Sequence, residues 1–309
     1  MAVRQGTGHV PKERRTGRGW WERNQRRLVP YIFIAPNMLV FTVFLFVPML
    51  LAVYMSFNDW SLIEAPRFIG LENYVMMAQD PQFWQSMWNT LVYTVGTVPT
   101  SIALGLLVAV GLNRRLPGRG LIRSVFFVPV VISMVAVALV GAWIFNDSYG
   151  VINSGLNALG FESVPWLTSQ RWAMPSLIIA TLWIRIGFNM VVYLAALQSI
   201  PSELYEAAQI DGATGWGQFR NVTWPLLGPT TFLLVILNVI YSIHVFDLIY
   251  VMTGGGPGFS TTVLVMYVYQ AAFQNLQMGY ASALGVVLFL MLLAFTAFQW
   301  RITRQGEQA

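Results

Sequence analysis

Five long stretches of this chain carry no charged side chain, and they constrain its fold more than any other feature. They run from Leu28 to Asn58, Pro81 to Asn113, Ser124 to Asn146, Asn221 to Phe246 and Leu248 to Trp300. Each is long enough for a helix that crosses a bilayer, which takes about 20 residues. Gly254-Gly255-Gly256-Pro257-Gly258 divides the last stretch. Its beginning is expected to complete the fifth helix, and Tyr280 to Trp300 to form a sixth. A further span, Trp172 to Leu197, is interrupted by the single charge of Arg185. Hydrophobic residues make up 56% of the 309 and charged residues only 10%, far from the average of a soluble domain. The expected fold class is an all-α integral membrane protein with six transmembrane helices over residues 30–304. A basic arm, 1–29, precedes them and a short tail, 305–309, follows.

Six crossings put both chain ends on one side, and basic residues choose which. Eight lie in the N-terminal arm (Arg4, Lys12, Arg14, Arg15, Arg18, Arg23, Arg26, Arg27). Arg114, Arg115, Arg119 and Arg123 lie in the second connection, Arg220 in the fourth, and Arg301 and Arg304 at the end. The other face has Arg67 and Arg171. The positive-inside rule assigns the fifteen to the cytosol, so both termini and the 198–220 loop are expected there. The arm reads as an anchor to anionic membrane lipid. No aromatic or groove-reading pattern accompanies it, so no nucleic acid is expected. It is also longer than a signal peptide, and no small-residue cleavage site follows Ile34 to Leu51.

Several chemistries are excluded. The chain has no cysteine, hence no disulfide scaffold and no thiolate. Two histidines, His9 and His244, do not make a histidine-rich metal site, and no metal or catalytic residue is expected. Lys12, the only lysine, stands in no glycine-rich loop, so the chain has no Walker-type phosphate loop of its own. The outer connections, Asp59 to Asp80 and Asp147 to Arg171, are short and rich in aromatic and turn residues. They read either as interfacial aromatic belts or as caps that receive a partner.

The polar loop between the fourth and fifth helices is the most specific segment. A short helix begins at Ser202 with Glu203 in its first turn, where a carboxylate suits the helix dipole. Ala207 and Ala208 give a bare face, and Asp211-Gly212 supply a turn. Such a helix at a membrane surface suits a protein partner, although Glu206 also reads as an ordinary solvated charge. The order Glu206-Ala207-Ala208-Gln209-Ile210-Asp211-Gly212-Ala213, with Phe219 and Pro225 after it, resembles the EAA loop of ATP-binding-cassette importer permeases.

The resemblance extends from about Pro30 to Arg304. Leu197-Gln198-Ser199-Ile200-Pro201 looks like the sugar-importer branch, which includes glycerol-phosphate importers. So do Phe68-Ile69-Gly70-Leu71-Glu72-Asn73-Tyr74, Asn113-Arg114-Arg115 with Gly118-Arg119-Gly120, and Phe246-Asp247-Leu248-Ile249-Tyr250 followed by Thr253-Gly254-Gly255-Gly256-Pro257. What it implies is the compact six-helix form of the type I importer permease fold, in the bacterial cytoplasmic (inner) membrane. It also implies a second homologous permease subunit, an ATPase dimer, an extracytoplasmic solute-binding protein and a sugar or polyol substrate. ATP and magnesium would sit on the ATPase, with no cofactor on this chain. Glu203, Glu206, Ala207, Ala208, Asp211, Gly212 and Ala213 are then the expected ATPase-docking residues.

Polar groups inside a membrane are expensive and face a cavity or one another. Thr181, Ile184, Arg185 and Phe188 share a helical face by spacing, as do Tyr241, His244 and Leu248, with Asp247 three residues beyond His244. Rings beside charged and hydroxyl groups suit a sugar, so Thr181, Arg185, Phe188, Tyr241, His244 and Asp247 are the expected substrate path. The alternative is an Arg185–Asp247 ion pair that only ties two helices together. Gly105, Gly111 and Gly141 read as sites of close helix packing. Two other classes compete with the importer subunit. One is a proton-coupled secondary transporter of a small polar solute, relaying through Asp247, His244 and Arg185; it gives no reason for the Glu206 loop. The other, an intramembrane enzyme, lacks a His-Glu-x-x-His motif, paired membrane aspartates or a Ser/His arrangement.

Overall fold

Pro81–Asn113 is one unbroken helix of 33 residues, and it organises the membrane part of the molecule. The structure is a computed structural model that describes residues 20–61, 63–113 and 117–306. Arm residues 1–19, Arg114, Arg115 and the last three tail residues lie outside the described part. The chain divides into two units after Leu51. The first contains α1 (Trp20–Phe41), a π-helical turn (Thr42–Phe46) and the start of α2 (Val47–Met55). Its helix starts eight residues before Leu28, and it passes through Pro30 and Pro36 without a break. The apolar window of this span is Val29–Met55.

The second unit holds the rest. A two-residue antiparallel pair, β1 (Asn58–Asp59) with β2 (Arg67–Phe68), precedes α3 (Glu72–Gln79) and then α4 (Pro81–Asn113). Next come α5 (Arg119–Val131), α6 (Met134–Ile144), α7 (Val151–Ala158) and α8 (Ala173–Gln198). The loop carries α9 (Ser202–Ile210) and α10 (Gly215–Gln218), a π turn (Phe219–Thr223) and α11 (Trp224–Leu226). The chain continues through α12 (Gly228–Ile243), α13 (Asp247–Met252) and α14 (Leu264–Tyr269). A last π turn (Gln270–Gln274) leads to α15 (Met278–Gly306).

Among the described residues four helices are long and apolar enough to cross a membrane, and two bent pairs bring the number to six when each is counted as one span. The expected spans at α4, α8 and α15 match to within a few residues at their starts. Two others are not single helices. The Ser124–Asn146 run turns by 105° between α5 and α6, and the chain bends by 62° at Leu227, between α11 and α12. Ile132 and Ser133 leave the helical conformation, and Ser133 precedes α6 without capping it through its side chain. The fifth helix is not completed past Phe246 as expected. It stops at Ile243, and α13 is a separate helix packed on α6. The glycine run does end α13, with Gly254, Gly255 and Gly258 all at positive φ.

Small residues set the close contacts. A Cβ at Gly105 would stand 2.5 Å from Cβ of Asn189, so α4 and α8 meet almost backbone to backbone. One at Gly187 would collide with the Phe126 carbonyl of α5. Gly141 faces Met252 of α13, whereas Gly111 faces open space and marks no helix contact. Around these crossings Leu106, Ala109, Met190, Tyr193, Leu194 and Leu234 form one buried apolar cluster. Outside the spans, single asparagines hold the connections. Asn153 exchanges bonds with the Val164 backbone and also bonds Asp147 O (2.9 Å) and Trp166 Nε1 (2.9 Å). Trp166 also packs on Phe145 and Trp172, which ties this connection to the start of α8.

Candidate functional site

Two groups of residues are candidates, and the loop is the simpler. Pro201 enters α9 in an extended conformation, and Ser202 is its first residue without a side-chain cap. Glu203 lies in the first turn. The helix ends in a Schellman turn: Ala213 N donates to Ala208 O (2.8 Å) and Gly212 N to Gln209 O (3.0 Å). Gly212, at φ 80°, supplies the left-handed residue this turn requires. Glu203, Glu206, Ala207, Asp211 and Gly212 are exposed, while Ala208 and Ala213 are half-buried. The alanine pair is thus not one bare face. The exposed apolar line is instead Leu204, Ala207 and Ile210, the last 87% exposed. From behind, Tyr205 Oη meets Thr223 Oγ1 at 3.0 Å. A cavity of about 240 Å³ lies there, lined by Asn113, Leu197, Tyr205 and Phe219 among others.

The second group lies where α4, α8 and α12 pack. Arg185 is buried, and its Nε donates to Asn238 Oδ1 at 2.9 Å. Asn238 Nδ2 donates to Asn189 Oδ1 (2.8 Å) and to Leu234 O (2.7 Å). The guanidinium carbon stands 4.7 Å from the Phe188 ring centroid and 4.3 Å from that of Tyr241. Both distances are within cation–π range. The sequence pairing of Arg185 with Phe188 and Tyr241 is realised in space. The Arg185–Asp247 ion pair is not: among the described residues the one ion pair joins Arg67 to Asp59.

Thr181, His244 and Asp247 make no hydrogen bond or ion pair with Arg185. Thr181 is fully buried, donates to Leu177 O and accepts from Tyr93 Oη at 2.6 Å, so it ties α8 to α4. His244 is the residue after α12, and Asp247 opens α13; both are exposed. The break between them removes the helical face expected to join Tyr241, His244 and Leu248, and Leu248 is buried. No relay of hydrogen bonds links Arg185, His244 and Asp247 among the described residues. Asn238 and Asn189 were missed by the sequence reading. Asn238 stands three residues before Tyr241 in a charge-free run, and its buried amide is the signal that spacing could have given.

The family model described as the binding-protein-dependent transport system inner membrane component matches residues 101–305. The chain belongs to this family. The sulfoquinovosyl glycerol transport system permease protein SmoG of Agrobacterium fabrum is 39% identical over 283 residues, covering 91% of this chain and 92% of SmoG. The trehalose/maltose transport system permease protein MalF of Thermococcus litoralis is 36% identical over 276 residues, covering 89% and 93%. In the crystal structure of a bacterial alginate ABC transporter with its alginate-bound periplasmic protein, one chain superposes with a TM-score of 0.82. It is 27% identical, with 93% of this chain and 97% of that one covered. The bent pairs are therefore parts of an ABC importer permease fold, and the protein is an integral membrane transport subunit rather than an enzyme.

Proposed function

We propose that this permease forms half of the translocation path of an ATP-driven importer for sugars or related polyols, and docks on its ATPase through α9. The observation that carries the docking is the short helix itself. It is rigidly closed at Gly212, pinned behind by Tyr205, and exposes Glu203, Glu206 and the Leu204–Ala207–Ile210 line to a partner. An apolar strip with flanking carboxylates suits a groove with a basic rim. The partners in this reading are a second homologous permease subunit, an ATPase dimer that carries ATP and magnesium, and an extracytoplasmic solute-binding protein. Both termini and the loop face the cytosol, and the basic arm rests on anionic lipid. Rings and amides around Arg185 belong to the substrate path. SmoG, MalF and the alginate transporter carry a sulfonated glycoside, neutral disaccharides and an acidic polysaccharide by their names, which supports a carbohydrate but leaves its charge open.

The docking is tested at Ala207 and Glu206. Ala207→Trp places an indole where close approach is needed, and Glu206→Lys reverses a charge at the contact. Disrupting an interfacial charge pair costs about 2–5 kcal/mol. Both variants are expected to reach the membrane yet to lose ATPase co-purification and vanadate-sensitive uptake. Normal uptake by both at normal expression would remove the docking role.

A further inference from the structure

The cluster around Arg185 is rich in donors and poor in acceptors. Arg185 brings a full positive charge into the membrane interior, where an unpaired charge is costly. Asn238, its hydrogen-bond partner, is a neutral amide. The Phe188 and Tyr241 rings stand against the guanidinium without adding net charge. With Nε taken, the edge left for two-point pairing is the one that carries both Nη groups. Among the described residues no acceptor meets that edge and no carboxylate pairs with Arg185. Neither Nη atom is among the fully enclosed side-chain atoms that lack a partner, so the edge is not sealed. One link further, the buried Asn189 Nδ2 also has no acceptor. A group that completes this cluster must supply oxygens and negative charge.

A neutral sugar hydroxyl supplies an oxygen but brings its own proton and no charge. A sulfonate, phosphate or carboxylate supplies both of the missing things. We propose that the transported solute is an anionic sugar or polyol, and that its acidic group pairs with the Nη edge of Arg185 on its way through. This rests on the reading of the cluster as substrate path. The rings and Asn238 already hold the guanidinium in place, so little side-chain freedom is lost when the anion arrives.

The experiment uses the whole transporter in cells, with matched pairs that differ only in the acidic group. Suitable pairs are a glucuronide with its glucoside, glycerol 3-phosphate with glycerol, and a 6-sulfonated glucosyl glycerol with its parent. Wild-type ATP-dependent uptake is expected to favour the acidic member of a pair at least tenfold. Arg185→Gln should erase most of that preference, and Arg185→Lys should keep most of it with a raised KM. ATP-dependent uptake of both members at similar rates overturns the proposal, because the counter-charge then comes from another subunit. So does an undiminished preference in Arg185→Gln. If neither variant assembles, the wild-type comparison decides alone, in the same sense. Failure of the importer reading has a different signature: no ATP-dependent uptake of either member and no ATPase bound to the permease.

Discussion

The Phe188 and Tyr241 rings lie within cation–π range of the Arg185 guanidinium, and Asn238 accepts a hydrogen bond from its Nε. Two ring contacts and one hydrogen bond together restrict the side chain to a preferred orientation. Removing either ring frees that orientation and forfeits a cation–π contact, which is worth about 0.5–2 kcal/mol. Phe188→Ala and Tyr241→Ala are each expected to lower uptake by roughly threefold to thirtyfold at unchanged assembly, measured as initial rates at equal membrane content. Unaltered kinetics in both would place the substrate path elsewhere. Thr181 makes a contrasting case, since its hydroxyl already donates to Leu177 and accepts from Tyr93, and its proton is not free for a solute. Gly105 matters through absence. Gly105→Val drives a branched side chain into Asn189 and the Met190 backbone, and overpacking costs about 1–3 kcal/mol. A lower Tm of the purified complex is expected, whereas the same change at Gly111, in open space, should leave the Tm in place.

Helices of this protein are tied at their ends by single side chains with several bonds each. Asn73 reaches the carbonyls of Ser56 (2.9 Å) and Asn58 (3.0 Å), joining α3 to the turn before it. Asn89 reaches those of Phe259 and Thr262 and holds the glycine-rich segment against α4. Asp80, just before α4, accepts from Tyr267 of α14 and from Tyr280 of α15 (2.6 Å). Burial alone would raise its pKa, but the two phenols and the amides of Gln82 and Phe83 outweigh burial and hold it below the ordinary carboxylate value of 3.8. A carboxylate whose folded pKa is depressed stabilises the fold above its unfolded pKa, and that contribution is lost as pH falls through the folded value. Thermal stability is therefore expected to drop as the medium is acidified from about pH 5 into the range below 4. Asp80→Asn should flatten that part of the profile, and a profile identical to wild type would show that Asp80 does not contribute.

The molecule as a whole must lie one way in the membrane, and fifteen basic residues against two are expected by the positive-inside rule to face the cytosol. With no native cysteine, a single cysteine at Gln209 reports the side of the α9 loop without background. Labelling by an impermeant reagent is expected only in inside-out vesicles, and labelling from outside intact cells would reverse the topology. Much of this architecture was legible in the sequence. The α4 span is bounded by Asp80 and Arg114, and the cost of moving a charge into hydrocarbon is a local property of each segment. The α9 loop was equally legible, because capping and turn chemistry act within a few residues. The breaks at Ile132–Ser133, Leu227 and His244–Phe246 were not. Hydropathy measures transfer energy and says nothing of whether the backbone runs on, and a broken helix survives where neighbouring protein covers it, as α6 covers α13. That Asn238 is the partner of Arg185 was harder to read for a related reason. Asn238 is 53 residues away, and which polar group it meets depends on how closely α4, α8 and α12 pack. The sequence by itself determined where the chain crosses the membrane, since charge and apolar length are written segment by segment. Only the tertiary structure decided that Arg185 faces two rings and an amide instead of Asp247, because buried pairing follows from the approach of helices far apart in the chain.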